Sequence, residues 1–104
     1  MALAFKQVTV NFDTGPNVPG LIKEKSFTAV FNGHVRTAEA VLKGFEIGYS
    51  GADHEVFKQE IDIDVDQISG NSVQGRVQFL LRDDTQSSHA FGGYVQLVVI
   101  ADVQ

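Results

Sequence analysis

The chain has 104 residues, no cysteine and a formal net charge of −5. A single domain of this length can bury a core without cross-links, and 43% hydrophobic with 20% charged residues is typical of a globular protein. The eight basic residues are scattered among thirteen acidic ones, which argues against nucleic-acid binding. No segment approaches the ~20 apolar residues of a membrane span, so no membrane insertion is expected.

Residues 1–6 show no charged region followed by a long apolar one, so no signal peptide is expected. A cytoplasmic location is the default prediction, and export by a non-classical route is the alternative. The absence of cysteine excludes disulfides and thiolate metal ligands.

The first part of the chain predicts short strands separated by turn residues. Residues 4–12 are predicted to form a first strand, and residues 13–20 contain both prolines and are predicted to be a loop. Residues 21–25 suit a short extended segment. Residues 26–31 alternate apolar and polar side chains and end at Asn32-Gly33, a tight-turn signal.

Residues 35–47 fit two structures. Thr37 and Gly44 could cap a two-turn helix, and propensity slightly favours this interpretation. As a strand, the same segment places four apolar residues on one side, interrupted by polar ones. The apolar residues are Val35, Val41, Phe45 and Ile47, and the polar ones are Thr37, Glu39 and Lys43.

The strongest local signal is a hairpin over residues 61–81. The first strand alternates three branched apolar residues with Asp62, Asp64 and Asp66, and the second alternates apolar positions with Gln74, Arg76 and Gln78. Period-two alternation on both sides of the Gly/Asn/Ser cluster at residues 69–72 predicts an antiparallel sheet with one buried face.

The last predicted strand, residues 94–103, is apolar on both faces. A small sandwich covers only one face of a sheet, so a neighbouring subunit is expected to cover the other. Together these segments predict one all-β domain over residues 1–104. We expect an antiparallel six- to seven-stranded β-sandwich that forms a homo-oligomer.

No catalytic or metal motif stands out. The Asp62-x-Asp64-x-Asp66 pattern has Gln67 and Val73 where a calcium loop needs glycine and a bidentate acid. It therefore predicts a face that is solvated or paired across strands with Arg76 or Lys58. The cluster around His54 lacks metal-ligand spacing. No nucleophile elbow or phosphate loop is present, so no enzyme activity, metal or cofactor is predicted.

The polar loop after the hairpin carries side chains that suit sugar binding. Planar hydrogen-bonding groups engage sugar hydroxyls, and an aromatic ring stacks on the C–H face. The residues concerned are Arg82, Asp83, Asp84, Ser88, His89 and Tyr94, with Asp13 and Asn17 in the early loop. Any hydrophilic surface loop can have this composition, so the pattern alone also fits a plain solvated loop.

The order of segments resembles the H-type lectin family, which forms small β-sandwiches that assemble as trimers or trimer pairs and bind carbohydrate. The similar segments are residues 26–31, 35–49, 60–65, 68–73, 77–79 and 94–101. In that family the segment like 35–45 is extended, so the resemblance implies a strand there.

The resemblance also implies roles for individual residues. His89 and Tyr94 could take the imidazole and aromatic roles, and Asp13 the acidic role contributed from a neighbouring subunit. The chain departs from the family in having no tryptophan, and no clear match to the family's strand arginine exists.

We therefore predict a homotrimeric or hexameric glycan-binding protein. The contact residues of this prediction are Asp13, Arg82, Asp83, His89 and Tyr94, with Asp53 and His54 as a second cluster. The alternative is a structural or assembly module of a multimeric particle, such as a phage tail or secretion component. A sandwich that binds a metal or small ligand through Asp and His is a third interpretation.

Overall fold

A computed structural model of the protein describes residues 2–12, 23–49, 56–83 and 91–104. Residues 49, 56–58, 81–83 and 91 are described by their backbone only. The six strands are β1 (Ala2–Phe12), β2 (Lys23–Val30), β3 (Val35–Tyr49), β4 (Val56–Ser69), β5 (Ser72–Asp83) and β6 (Phe91–Val103). Among the described residues there is no helix long and apolar enough to span a membrane.

The strands form two antiparallel three-stranded sheets. The first sheet has the order β1-β6-β3 and the second has the order β2-β5-β4. The predicted all-β sandwich is confirmed, and the strand count of the described residues is six.

The core lies between the two central strands, β6 and β5. Alternation places Val95, Leu97 and Val99 of β6 against Val77 and Phe79 of β5, and all five are fully buried. Apolar burial stabilises by roughly 25 cal/mol per Å². These two strands carry eight of the fourteen buried hydrophobic residues among the described ones.

The predicted hairpin is confirmed as β4 and β5. Ser69 pairs with Ser72, so the turn consists of Gly70 and Asn71. The register shifts twice, between Val56 and Lys58 and between Val65 and Gln67, and the second shift makes Asp66 an extra residue in β4. Such a bulge rotates the following side chains, so simple alternation does not describe the strand beyond Val65.

Residues 35–47 are extended and belong to β3, as the family resemblance implied. Two register shifts, between Val35 and Thr37 and between Leu42 and Gly44, interrupt its pairing with β6. Uninterrupted alternation would put Val41 on the side of Val35. This expectation is wrong, because Val41 pairs with Val98 on the outer face of the first sheet while Val35 is buried in the core.

One end of the sandwich is tied by backbone hydrogen bonds between turns. The Phe31 amide donates to the Asn71 carbonyl and the Val35 amide to the Gly70 carbonyl, both at 2.8 Å. The Gln104 amide donates to the backbone carbonyl of His34 at 2.9 Å, so the end of β6 is held at the same end of the sandwich. We call this the tied end.

Candidate functional site

The opposite end of the sandwich is where three connections leave the sheets. The backbones of Phe12 and Gly93 pair there, as do those of Tyr49 and Phe91 in the first sheet. In the second sheet, Val56 pairs with Asp83 at this end. We call it the connection end, because residues 13–22, 50–55 and 84–90 all depart from it and return to it.

Tyr94 is the predicted sugar contact that the structure describes completely. It is half-buried and lies on the outer face of the first sheet, since its neighbour Val95 faces the core. In the register, Tyr94 lies between Asn11 of β1 and Glu46 of β3, and both of these side chains are exposed. Residues directly opposite each other in antiparallel strands have their side chains on the same face. We call these three residues the Tyr94 row.

The next row extends the polar surface. Thr9, Gln96 and Gly44 are aligned in it. A Cβ on Gly44 would meet only the Gln96 Oε1 atom, at 3.5 Å, so the surface beside Tyr94 is open on the β3 side. The ring of Tyr94 thus has the Asn11 amide and the Glu46 carboxylate on the neighbouring strands, and the Gln96 amide two residues further along β6.

Gly93 allows the strands to approach at this point. Its φ angle is +144°, a conformation that L side chains rarely adopt. A Cβ there would lie 1.8 Å from the Glu46 carbonyl oxygen, so a side chain would push β3 away from β6. The glycine before Tyr94 therefore keeps Glu46 beside the tyrosine.

The remaining predicted contacts are described in part or not at all. Arg82 and Asp83 belong to β5 at the connection end, where their backbones pair with Lys58 and Val56. Asp13, Asp53, His54 and His89 lie outside the described residues, as do Asp84, Ser88 and Asn17. The strands that flank these loops meet at one end, and the Tyr94 row lies at that end.

Sequence reasoning missed Asn11, Glu46 and Gln96. Each was an ordinary polar position on a strand, and only the pairing of β1 and β3 with β6 brings them beside Tyr94. Asn11 and Gln96 each follow a buried residue, Val10 and Val95, so alternation could have placed them on the outer face of a sheet. Alternation does not reveal which strands are neighbours.

The outer face of the second sheet is acidic. Its exposed or half-buried carboxylates are Glu24, Glu60, Asp62, Asp64 and Asp66. Arg76 lies among them, with Nε 2.9 Å from Asp66 Oδ2 and Nη1 2.9 Å from Glu24 Oε1. The hydrogen bond to Asp66 and the charge of that carboxylate, followed by the same two effects of Glu24, raise the pKa of Arg76. Arg76 therefore links the edge strands β4 and β2 across β5. The sequence predicted its pairing with the aspartates of β4, but not with Glu24 of β2.

Metal binding has no support on this face. Within the ranges that the structure describes, no three His, Asp or Glu side chains are arranged to hold an ion. Alternate strand residues lie roughly 6.5–7 Å apart, which separates Asp62 from Asp64.

Apolar side chains are exposed on the outer face of the first sheet, towards the tied end. Leu3 is 64% exposed and Phe5 66% exposed. They adjoin Val98 and Ile100 of the central strand, which are half-buried on the same face, and Val41 of β3. We call these five residues the outer apolar patch.

A groove runs along the side of the sandwich between β3 and β4. It has a volume of about 480 Å³ and is lined by Ala38, Glu39 and residues 63–68. Both strands are edges of their sheets, so the groove is open between the two sheets.

No protein-family model matches the chain, and searches of curated proteins and of solved structures return no match. The H-type lectin resemblance therefore stays a prediction. The chain folds as an antiparallel β-sandwich, and its exposed surfaces are what indicates its function.

Proposed function

We propose that the protein is a non-catalytic, carbohydrate-binding β-sandwich that acts as a multivalent homo-oligomer. The observation that carries the proposal is the Tyr94 row, in which an aromatic side chain lies between Asn11 and Glu46 on an open sheet face. The row adjoins the strand ends from which the loops with Asp13, Asp53, His54 and His89 depart.

The chemistry of the row suits a sugar. A tyrosine ring can stack on the C–H face of a pyranose, while its hydroxyl keeps a polar contact. Glu46 accepts hydrogen bonds through two oxygens, and the amides of Asn11 and Gln96 both donate and accept. Charge-assisted bonds from sugar hydroxyls to a carboxylate are stronger than neutral ones, so Glu46 would supply most of the directionality.

Oligomerisation would convert weak single-site binding into useful affinity. Linked sites can raise overall avidity by roughly 10²–10⁴ without any new contact. The family resemblance implies a trimer or a pair of trimers, and the outer apolar patch offers surface for such contacts.

The experiment is a glycan array followed by titration calorimetry with the best-binding sugars. Tyr94→Ala and Glu46→Gln should each abolish or greatly weaken binding, whereas Thr28→Ala on the second sheet should not change it. Unfolding midpoints and oligomer mass are measured in parallel, so that lost binding is not confused with lost folding. If no sugar binds at millimolar concentration to a folded oligomer, the carbohydrate proposal is wrong.

A structural or assembly role is the second candidate, and the outer apolar patch favours it. Two neighbouring side chains, Leu3 and Phe5, each keep more than 60% of their surface exposed in the single chain. Contiguous exposed apolar surface marks interaction sites on soluble proteins. This role would be favoured if the natural chain is a folded oligomer that binds no sugar and the Leu3→Ser/Phe5→Ser variant is a folded protein of lower oligomer mass.

A further inference from the structure

The charges of β3 are arranged symmetrically about Val41 with opposite signs. Glu39 and Lys43 lie two residues before and after Val41, and Arg36 and Glu46 lie five residues before and after it. All four side chains are exposed, and the Lys43 ammonium donates a hydrogen bond to Gln7 of β1 in the single chain, a contact that the dimer would exchange for Glu39. If two copies of β3 run antiparallel with Val41 opposite Val41, Glu39 comes opposite the pair Lys43-Gly44 and Glu46 opposite the pair Arg36-Thr37, since two residues of a bulged strand oppose one on the partner. Each carboxylate thus lies beside a cation, and opposite charges in cross-strand pairs stabilise a sheet.

β3 is available for such pairing because it is an edge strand. It pairs with β6 on one side only and is 15 residues long. An exposed edge presents a row of backbone donors and acceptors to another chain. Bulges normally protect such edges by disturbing the register.

The two bulges of β3 do not disturb an antiparallel self-pairing. One lies between Val35 and Thr37 and the other between Leu42 and Gly44, on opposite sides of Val41. Each half of the strand therefore contains one extra residue, Arg36 in one half and Lys43 in the other. When the strand meets a copy of itself, the two extra residues compensate, and Val35 comes opposite Ile47.

The apolar side chains of the edge fit the same register. Leu42 and Phe45 pair with Leu97 and Val95 on the core side, yet they remain 45% and 46% exposed at the open side of the sandwich. In the self-paired register, Leu42 faces Ala40 and Phe45 faces Ala38. A large side chain thus meets a small one at both positions.

The groove between β3 and β4 gives Phe45 of a second copy a place to bind. Ala38 lines this groove together with Ile63, Val65 and Ile68, and its volume of about 480 Å³ is ample for a benzyl group. Each copy carries both the projecting side chain and the groove, as a two-fold interface requires.

We propose that β3 pairs antiparallel with β3 of a second copy about a two-fold axis at Val41. The two first sheets would join into one continuous sheet, with Phe45 of each copy seated in the groove of the other. This contact lies on the edge of the sheet and does not require a bound sugar, although Glu46 belongs to both the interface and the Tyr94 row. It is also separate from Leu3 and Phe5, which lie on β1 at the opposite edge.

A cysteine placed on the two-fold axis tests the register directly. The natural chain has no cysteine, so Val41→Cys introduces a single thiol. Residues opposite each other in antiparallel strands have Cα atoms roughly 4.5–5.5 Å apart, within the range that a disulfide spans. Val41→Cys should form a covalent dimer on mild oxidation in high yield, and Phe5→Cys should not. Equal yields, or a dimer with Phe5→Cys alone, would overturn the proposal.

A charge exchange provides the second test. Glu39→Lys and Lys43→Glu should each weaken dimerisation about three- to tenfold, because each places like charges opposite one another twice. The double variant Glu39→Lys/Lys43→Glu should recover the natural dissociation constant, since the two-fold axis restores both pairs. Sedimentation gives the constants, and urea unfolding verifies that each variant is folded.

Truncation of Phe45 separates this interface from the β1 side of the outer apolar patch, since Val41 belongs to both surfaces. Phe45→Ala should weaken dimerisation at least tenfold, whereas Phe5→Ala should leave it unchanged. The reverse result would assign self-association to the outer face, and a natural chain that stays monomeric would also overturn the proposal. Carbohydrate titration of the same variants is an independent readout, so the two proposals can fail separately.

Discussion

The rings of Phe12 and Phe79 are stacked across the two sheets, with centroids 4.3 Å apart and an angle of 6° between their planes. Phe12 is the last residue of β1, and Phe79 is fully buried in β5. Lys25 lies over the Phe12 ring, with its Nζ 5.9 Å from the centroid, and donates a hydrogen bond to the Asn11 carbonyl. The stack therefore joins the two sheets directly beside the Tyr94 row.

Phe79→Ala should destabilise the protein strongly. Removing a fully buried Phe side chain from a packed core costs about 3–5 kcal/mol, because the loss of apolar burial adds to the cavity left behind. Urea unfolding measures the change, with the exposed Thr28→Ala on neighbouring β2 as the control, expected within about 0.5 kcal/mol of the natural chain. A loss below 1 kcal/mol at Phe79 would contradict the packing described here.

Gly75 and Gly48 form a matched pair for a second prediction. A Cβ at Gly75 would lie 2.1 Å from the Asp64 carbonyl oxygen and 2.5 Å from Phe27 Cζ, whereas a Cβ at Gly48 meets nothing within 4 Å. Gly75→Ala should destabilise by about 1–3 kcal/mol through overpacking. Gly48→Ala should be neutral or slightly stabilising, because glycine loses more backbone freedom on folding. Thermal or urea unfolding that ranks the two variants in the opposite order would contradict the close approach of Asp64 and Phe27 to Gly75.

Arg76 is predicted to control the salt dependence of stability. It links Asp66 and Glu24 on a face that also carries Glu60, Asp62 and Asp64. Arg76→Gln removes the cation that offsets this repulsion, so the variant should gain more stability than the natural chain when salt is raised. Urea unfolding at about 0.01 M and about 1 M salt compares Debye lengths of roughly 30 Å and 3 Å.

The control for that prediction is Arg36→Gln, on the first sheet and away from the acidic face. Its salt dependence should match that of the natural chain at concentrations where the chain is monomeric. An unchanged salt dependence in Arg76→Gln would show that the carboxylates of this face do not repel one another appreciably.

The local pattern predicted the hairpin, but it left residues 35–47 open between helix and strand, and the reason is physical. From Ile61 to Val65 in β4 and from Val73 to Phe79 in β5 the alternation is unbroken, because every second residue is half-buried in β4 and buried in β5. In β3 two bulges interrupt the period, so the local pattern allows a helix as readily as a strand. Pairing with β6 decides the outcome, and that pairing joins residues more than forty positions apart.

The candidate site was predictable only at its centre. Tyr94 is an aromatic residue that follows a polar stretch of the sequence, residues 82–89, and sequence reasoning can find it. Asn11 and Glu46 come beside it through the register of three strands distant in sequence, and nothing local to either residue encodes that register. Asp66 illustrates the same limit, because one bulge changes its relation to Asp62 and Asp64.

Asp102 is predicted to limit both stability and self-association. It lies on the outer face of the first sheet, with Leu3 and Thr37 opposite it in the register. Its Oδ1 atom is buried and has no hydrogen-bond partner among the described residues. An unsatisfied buried acceptor costs about 1–3 kcal/mol, so Asp102→Val should stabilise the folded chain by an amount of that order.

The same substitution extends the outer apolar patch, so it should also strengthen association through the outer face. Thr28→Val on the exposed face of the second sheet removes no charge, so it is the control and should stay within about 0.5 kcal/mol of the natural chain. Urea unfolding and sedimentation over a concentration series measure the two effects. If Asp102→Val is less stable than the natural chain, the carboxylate has a partner in solution, and a neighbouring subunit that donates a hydrogen bond to it becomes the next interaction to test.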